Sequence, residues 1–583
     1  MGDASLGSRI ARLVHSHFDA LPKRSKPTIH PDGSREWVPL SGIVLVTGEN
    51  TREEILTCVA IATGAKCLPS SQISQCRGMV LHDSHAEILA IRAFNNWLLE
   101  ECKSLLEHRI DYSNHEFKSE RIEANEANNN DEAGTQPTCG KLHASKFINW
   151  RHQPGTGPNL ASHTLSRISD TNQLAKTKHS WPPFELRKDL RIYMYGTCAP
   201  CGDVSMELCM ASQEDPTPWA TPPLGASNNP ENSSGNSSQH NQANNIPHTT
   251  TSLLNGRAHF SILGAVRRKP SRADAESTLS KSCSDKLAVK QVTSLLTFPA
   301  CLLIFPSSNA YLTALLLPEE EISRVACARA FGSGETGRLG ELNGRRWSDD
   351  DPGVDDDDTA ASLGGMGYTF RPFEVRPVPT AQVQEEWAFG KPKDNNGAEK
   401  KKSKPGNISA VWTAAPSSST AINGKLATGT KLNETLINGV KQGYRISSPT
   451  PRKASALSRA KMWGLLRDIV QLLPSADNCG ENDGVAAQTG KFENQTSTTR
   501  RALDHIHDNS LFAKMKECVL TAQSYELMKR KCIKMGIGPS KLRKNVTTDV
   551  REVLGNWVEN RGDDDWGLEL LEESSTRKVV ERA

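Results

Sequence analysis

Apolar residues along this chain gather in short blocks separated by long polar tracts. Leu6, Ile10, Leu13, Val14 and Phe18 recur at helical spacing and predict a first helix over residues 4–20, closed by Pro22 and Pro27. The run at 43–46 predicts a strand, 52–62 reads as strand or helix up to Gly64, and 78–81 as a strand leading into a helix. That next helix is marked by Ile88, Ile91, Phe94 and Leu98 on one face, continues towards residue 106, and is expected to carry His85 and Glu87 in its first turn. Further strands are expected at 190–196 and 408–413. Residues 295–317 read as a buried strand followed by a buried helix. Helices are expected after Cys283 and over 318–331, 455–473, 512–535 and 550–560.

The polar tracts near 108–180, 211–255, 332–405 and 474–505 have too little apolar content for a core and read as disordered insertions. One domain over 38–565 is therefore expected, with a lead-in over 1–37 and a flexible tail over 566–583. Apolar residues make up 36% of the 583 and aromatics 5%, consistent with a sizeable core diluted by loops. The net charge of +3 points to no partner by itself, but base is concentrated at 400–404 and 514–544, where nucleic acid can be met. Residues 295–317 are interrupted by Pro299, Pro306 and Asn309, so no membrane span is expected. The chain has 14 Cys and no secretory leader, which predicts an intracellular protein with reduced thiols, in the nucleus or the cytoplasm. Metal binding or catalysis then becomes the informative role for a cysteine.

Three local motifs have competing readings. Gly332, Gly334 and Gly337 match G-x-G-x-x-G, but a dinucleotide fingerprint needs a strand before it and a helix after it, and here a helical pattern precedes and an acidic loop follows. Cys198 and Cys201 form a C-x-x-C without a second pair at structural-zinc spacing, so one of them is a ligand candidate. Cys201 is favoured, because a Pro-Cys at a helix start lowers the thiol's pKa. Ser84 and Glu87 have the spacing of a capping box. They also flank His85, and His85 with Cys201 and Cys283 makes three ligands with a fourth position open, the pattern of a catalytic zinc site. Such a site activates water, and Glu87 beside it can accept and deliver protons. That chemistry suits removal of an amine from a heteroaromatic ring.

His85-Ala86-Glu87, Pro200-Cys201-Gly202-Asp203 and Ser282-Cys283-Ser284-Asp285-Lys286, in this order, resemble the deaminase domain of adenosine deaminases acting on RNA and their relatives acting on tRNA. Thr63-Gly64-Ala65-Lys66-Cys67 and Trp557-Val558-Glu559 extend the likeness, which covers about residues 38–560. The resemblance implies an α/β, cytidine-deaminase-like mixed sheet with helices on both faces, enlarged by C-terminal helices. It implies zinc at His85, Cys201 and Cys283 with Glu87 as the proton carrier. Fewer than 40 residues precede the first core strand, so no RNA-binding domain is expected there. The tRNA branch is favoured for that reason, which implies adenosine 37 of alanine tRNA as the target.

Relatives hold a buried inositol hexakisphosphate. The positions implied here are Arg92, Lys286, Lys290, Arg459, Tyr525, Lys529 and Trp557, although Ile91 and Val289 stand where some relatives have arginine. Lys66, Arg268, Lys269 and Arg272 are candidates for RNA contact, with no obligate protein partner evident. The alternatives are the same chemistry on another RNA, or a non-catalytic RNA-binding protein that uses zinc structurally.

Overall fold

A computed structural model describes residues 5–31, 34–126, 145–152, 179–212, 254–256, 262–269, 276–348, 367–391, 404–417, 430–473, 513–537 and 539–572. Arg272 lies outside these, as does the whole of the tract 474–505.

The centre is an eight-stranded mixed sheet. From one edge to the other its strands are Glu374–Val378, Leu312–Pro318, Leu190–Gly196, Leu40–Thr47, Ile55–Thr63, Ile408–Ala414, Thr430–Ile437 and Val440–Lys441. The first three run parallel, and every later pairing is antiparallel. Successive side chains of a strand face opposite ways. Thus Ile43, Leu45, Ile192, Met194, Leu315 and Leu317 enter one core, while Val44, Val46, Tyr193, Tyr195, Ala314 and Leu316 enter the other.

Helices cover both faces, in agreement with the expected α/β architecture. The Leu6–Asp19 helix packs Ile10, Val14 and Phe18 onto the second core, together with Val383 and Trp387. It crosses the sheet at Gly42, where a Cβ would stand 2.6 Å from a methyl of Val14; only glycine lets the helix come so close. The first core is filled by Leu89, Phe94, Trp97 and Leu98 of the Ala86–Glu126 helix and by Trp463 and Leu466 of the Arg459–Leu472 helix.

Several expectations are corrected. His85 is the last residue of a short strand, Asp83–His85, and the helix opens only at Ala86, so Glu87 alone stays in its first turn. That helix continues to Glu126, well into the tract read as an insertion. Residues 295–317 are short 3-10 turns followed by the strand Leu312–Pro318, the reverse of the order read from their hydrophobicity. A run buried on all sides loses the period that distinguishes helix from strand. The tract 332–405 is partly ordered, with strands Arg346–Ser348 and Gly367–Thr369 and helix Thr380–Glu386. No helix among the described residues is long and apolar enough to cross a membrane.

Candidate metal centre and anion cavity

Three backbone segments deliver the predicted ligands. The strand Asp83–His85 pairs antiparallel with Ala65–Cys67, and this sets His85 opposite Ala65. The Leu190–Gly196 strand ends just before Cys201, and Cys283 opens the Cys283–Thr293 helix, whose cap is the Ser282 hydroxyl accepting from the Asp285 N–H at 3.1 Å. The two cysteine loops are laced together: the Ser284 N–H donates to the Cys201 carbonyl at 3.0 Å and the Val204 N–H to the Ser284 hydroxyl at 3.2 Å. Gly202 has φ +105°, and a Cβ there would lie 2.2 Å from the Ser282 hydroxyl, so no side chain fits between the loops.

Nδ1 of His85 lies 3.7 Å from Cys201 Sγ and 3.6 Å from Cys283 Sγ. A tetrahedral zinc with ordinary Zn–S and Zn–N bonds has N···S edges of about 3.6 Å, so the donor set fits that ion. The protein's own charges favour a thiolate. The bond from Cys283, helped by Lys269 and His85, holds the Cys201 thiol well below its usual range despite burial. Glu87 is buried beside the ligands, its Oε2 accepting from Cys283 Sγ at 3.4 Å. Burial raises its proton affinity, as a proton carrier requires.

Two other clusters of metal-ligating side chains occur among the described residues, and both are already neutralised. Asp83, near Cys67 and His85, is taken by two ammonium groups. The cluster of Cys76, His82 and Asp563 has the Arg459 guanidinium inside it, 2.7 Å from Asp563 and 3.2 Å from His82.

The sequence reading missed Asp83 and misplaced Lys269. Lys269 is not available to RNA: its ammonium is 3% exposed, lies 2.9 Å from Asp83 and donates to Cys283 Sγ at 3.2 Å. Lys286 contacts the same Asp83 oxygen, Oδ2. Burial alone would raise the Asp83 pKa, but these two cations hold it well below the usual carboxylate range. Asp83→Ala would strand the buried Lys269. It is expected to cost about 3–5 kcal/mol in denaturant unfolding, the range for breaking one side of a buried ion pair. Lys66 is half-buried on its strand, and Arg268 is half-buried in a bridge to Lys281.

On the far side of Lys286 lies a cavity of about 1000 Å³ whose wall includes Lys281, Lys286, Lys529, Arg551 and Trp557. Of the seven residues expected around an inositol phosphate, Lys286, Lys529 and Trp557 are on this wall. Arg459 stands behind it, paired with Asp563 and Asp564, and Tyr525 is stacked on Trp566 at 4.8 Å. Arg92 and Lys290 are off the wall and bind backbone carbonyls instead, Arg92 that of Leu457 and Lys290 that of Leu296. Lys281 and Arg551 were not foreseen. Burial, with Lys286 and Arg551 alongside, pushes the Lys281 ammonium down to about 7. Such a crowd of cations is stabilised by a polyanion, so the wall fits one, even though Glu559 and Asp563–Asp565 also face the cavity.

The family model for the adenosine-deaminase (editase) domain matches residues 60–129, the segment that contains His85, Glu87 and Arg92. Over 479 residues the chain is 28% identical to a protein of Schizosaccharomyces pombe named tRNA-specific adenosine deaminase 1, covering 82% of this chain and 89% of the relative. A protein of the same name from Saccharomyces cerevisiae is 26% identical over 50% of this chain and 54% of its own length. The human protein of that name is 31% identical over 102 residues, 19% of its length.

Proposed function

We propose that this chain, whose residues 60–129 match the adenosine-deaminase (editase) domain and whose relatives are named tRNA-specific adenosine deaminase 1, is a deaminating hydrolase that converts adenosine to inosine in tRNA, at adenosine 37 beside the anticodon of alanine tRNA. The observation that carries this reading is the convergence of His85 Nδ1 and the Cys201 and Cys283 thiols beside a buried carboxyl, Glu87. These three ligands would hold zinc, which supplies the Lewis acidity that makes water nucleophilic near neutral pH.

The remaining steps belong to the chain's own groups. Glu87 takes the proton released as water adds to C6 of the adenine and returns it to N1 of the ring, then passes the hydroxyl proton of the adduct to the amine, so that the C6–N bond breaks and ammonia departs. The net change is adenosine plus water to inosine plus ammonia. An anticodon-loop base is already unpaired, so presenting it to a recessed carboxyl costs less than extruding one from a duplex. The nucleus or the cytoplasm is the compartment that goes with this reading. Lys66 and Arg268 are the remaining described candidates for phosphate contact.

The cavity wall supports inositol hexakisphosphate as a second bound group, held by Lys281, Lys286, Lys529 and Arg551. Mass spectrometry of small molecules released on denaturation tests that assignment.

The substrate is tested by incubating purified protein with alanine tRNA and with an RNA hairpin, then mapping inosine by sequencing. Inosine is expected at position 37 of the tRNA and not in the hairpin. Inosine in the hairpin alone would replace the tRNA reading with one of duplex editing. Zinc-loaded protein that edits neither would favour a binding role.

A further inference from the structure

Two positions beyond each cysteine ligand stands a carboxylate with no solvent exposure: Asp203 follows Cys201, and Asp285 follows Cys283. Buried charges on this scale need partners. Asp203 accepts from the Gly264 N–H at 2.7 Å and from Arg329 Nε at 3.0 Å. Asp285 accepts from the Arg267 N–H at 3.0 Å and the Ser282 hydroxyl at 2.5 Å.

One side chain reaches both carboxylates. Arg338 places a guanidinium nitrogen 2.6 Å from Asp285 Oδ1 and its Nε 3.7 Å from Asp203 Oδ2, with 4% of the side chain exposed. It is delivered by the glycine-rich loop at 332–337. That loop turns through the Gly337 N–H bond to Gly334 at 2.8 Å and is pinned where the Arg338 N–H meets the Arg329 carbonyl at 2.8 Å. The G-x-G-x-x-G spacing thus serves an arginine, not a pyrophosphate.

We propose that Arg338 is a positioning residue of the metal centre, clamping the Asp203 and Asp285 carboxylates so that the Cys201 and Cys283 loops hold a fixed separation. The inference rests on the reading of His85, Cys201 and Cys283 as zinc ligands. The two cysteines come from segments 82 residues apart, and a tetrahedral ion tolerates little error in the distance between its sulfurs. Arginine suits the task because its delocalised guanidinium spreads one charge across both carboxylates, hydrogen-bonded to Asp285 and in charge contact with Asp203, where a lysine offers one compact charge.

The test uses the full chain with Arg338→Met and Arg338→Lys. Zinc affinity is read by competition with a chromogenic chelator, site geometry by the absorption of the cobalt-substituted protein, and kcat and KM on alanine tRNA. Arg338→Met is expected to lose roughly 10–100-fold in zinc affinity, as for partners that orient metal ligands elsewhere. Its kcat should fall while KM for tRNA holds, and its cobalt bands should shift. Arg338→Lys keeps the charge without the fork and is expected to fold and to recover only part of each loss. A folded Arg338→Met protein with wild-type zinc affinity, cobalt spectrum and kcat overturns the clamp. If Arg338→Met fails to fold, wild-type values in Arg338→Lys overturn it equally. Wild-type protein that binds no zinc at all removes the premise instead, and that result is separate from any effect of Arg338.

Discussion

Glu87→Gln is expected to lower inosine formation by roughly two to four orders of magnitude, the span that a positioned general acid–base commonly contributes. The amide has nearly the size and shape of the carboxyl, so the helix opening at Ala86 and the packing of Leu89 behind it are retained. What is lost is the group that takes a proton from water and gives it to the purine. Its Oε2 accepts from Cys283 Sγ at 3.4 Å, and a glutamine there cannot carry the proton. Zinc content by metal analysis should stay at the wild-type level. Near-normal turnover in a zinc-loaded Glu87→Gln protein would falsify the assigned role. Loss of zinc would show instead that Glu87 is a ligand.

Cys201→Ala is expected to abolish both zinc retention and activity, while Cys198→Ala three residues earlier leaves both in place. Of these two cysteines, Cys201 is the one in the cluster, its sulfur 3.7 Å from His85 Nδ1. Cys198 lies outside the cluster of His85, Cys201 and Cys283, and burial pushes its thiol up, the state of an inert cysteine. After dialysis against a chelator and reloading, wild type should carry about one zinc per chain and Cys201→Ala close to none, since three protein ligands are the minimum for a catalytic zinc. Zinc loss in Cys198→Ala with retention in Cys201→Ala would reverse the assignment within the C-x-x-C.

The proposed ligands were legible in the sequence because they lie in short, ordered motifs. His85, Cys201 and Cys283 converge, as the resemblance implies. The surroundings were not legible. Lys269 reads as a candidate for RNA contact, and only the fold reveals that Asp83, 186 residues away, captures its ammonium. Arg338 was hidden in a glycine-rich loop for the same reason, because its partners Asp285, 53 residues earlier, and Asp203, earlier still, meet it only in space. Arg92 departs from expectation the other way: the resemblance implies that it faces an anion, whereas it lies off the cavity wall with Nε and Nη2 both donating to the Leu457 carbonyl. Strand and helix types followed well where one face is polar, as over the Leu6–Asp19 helix and the Leu190–Gly196 strand. They failed over 295–317, where burial on every side erases the period.

The Asp563 carboxylate accepts the Gly78 N–H at 2.7 Å and meets His82 at 2.9 Å, a tie across 485 positions that leads straight into the strand carrying His85. A ribosome makes the chain from the amino end, so all three metal ligands have emerged once Cys283 is out, long before Asp563 is joined. The three proposed ligands are therefore made before Lys529, Arg551 and Trp557, so the cavity wall is the later of the two sites to be completed.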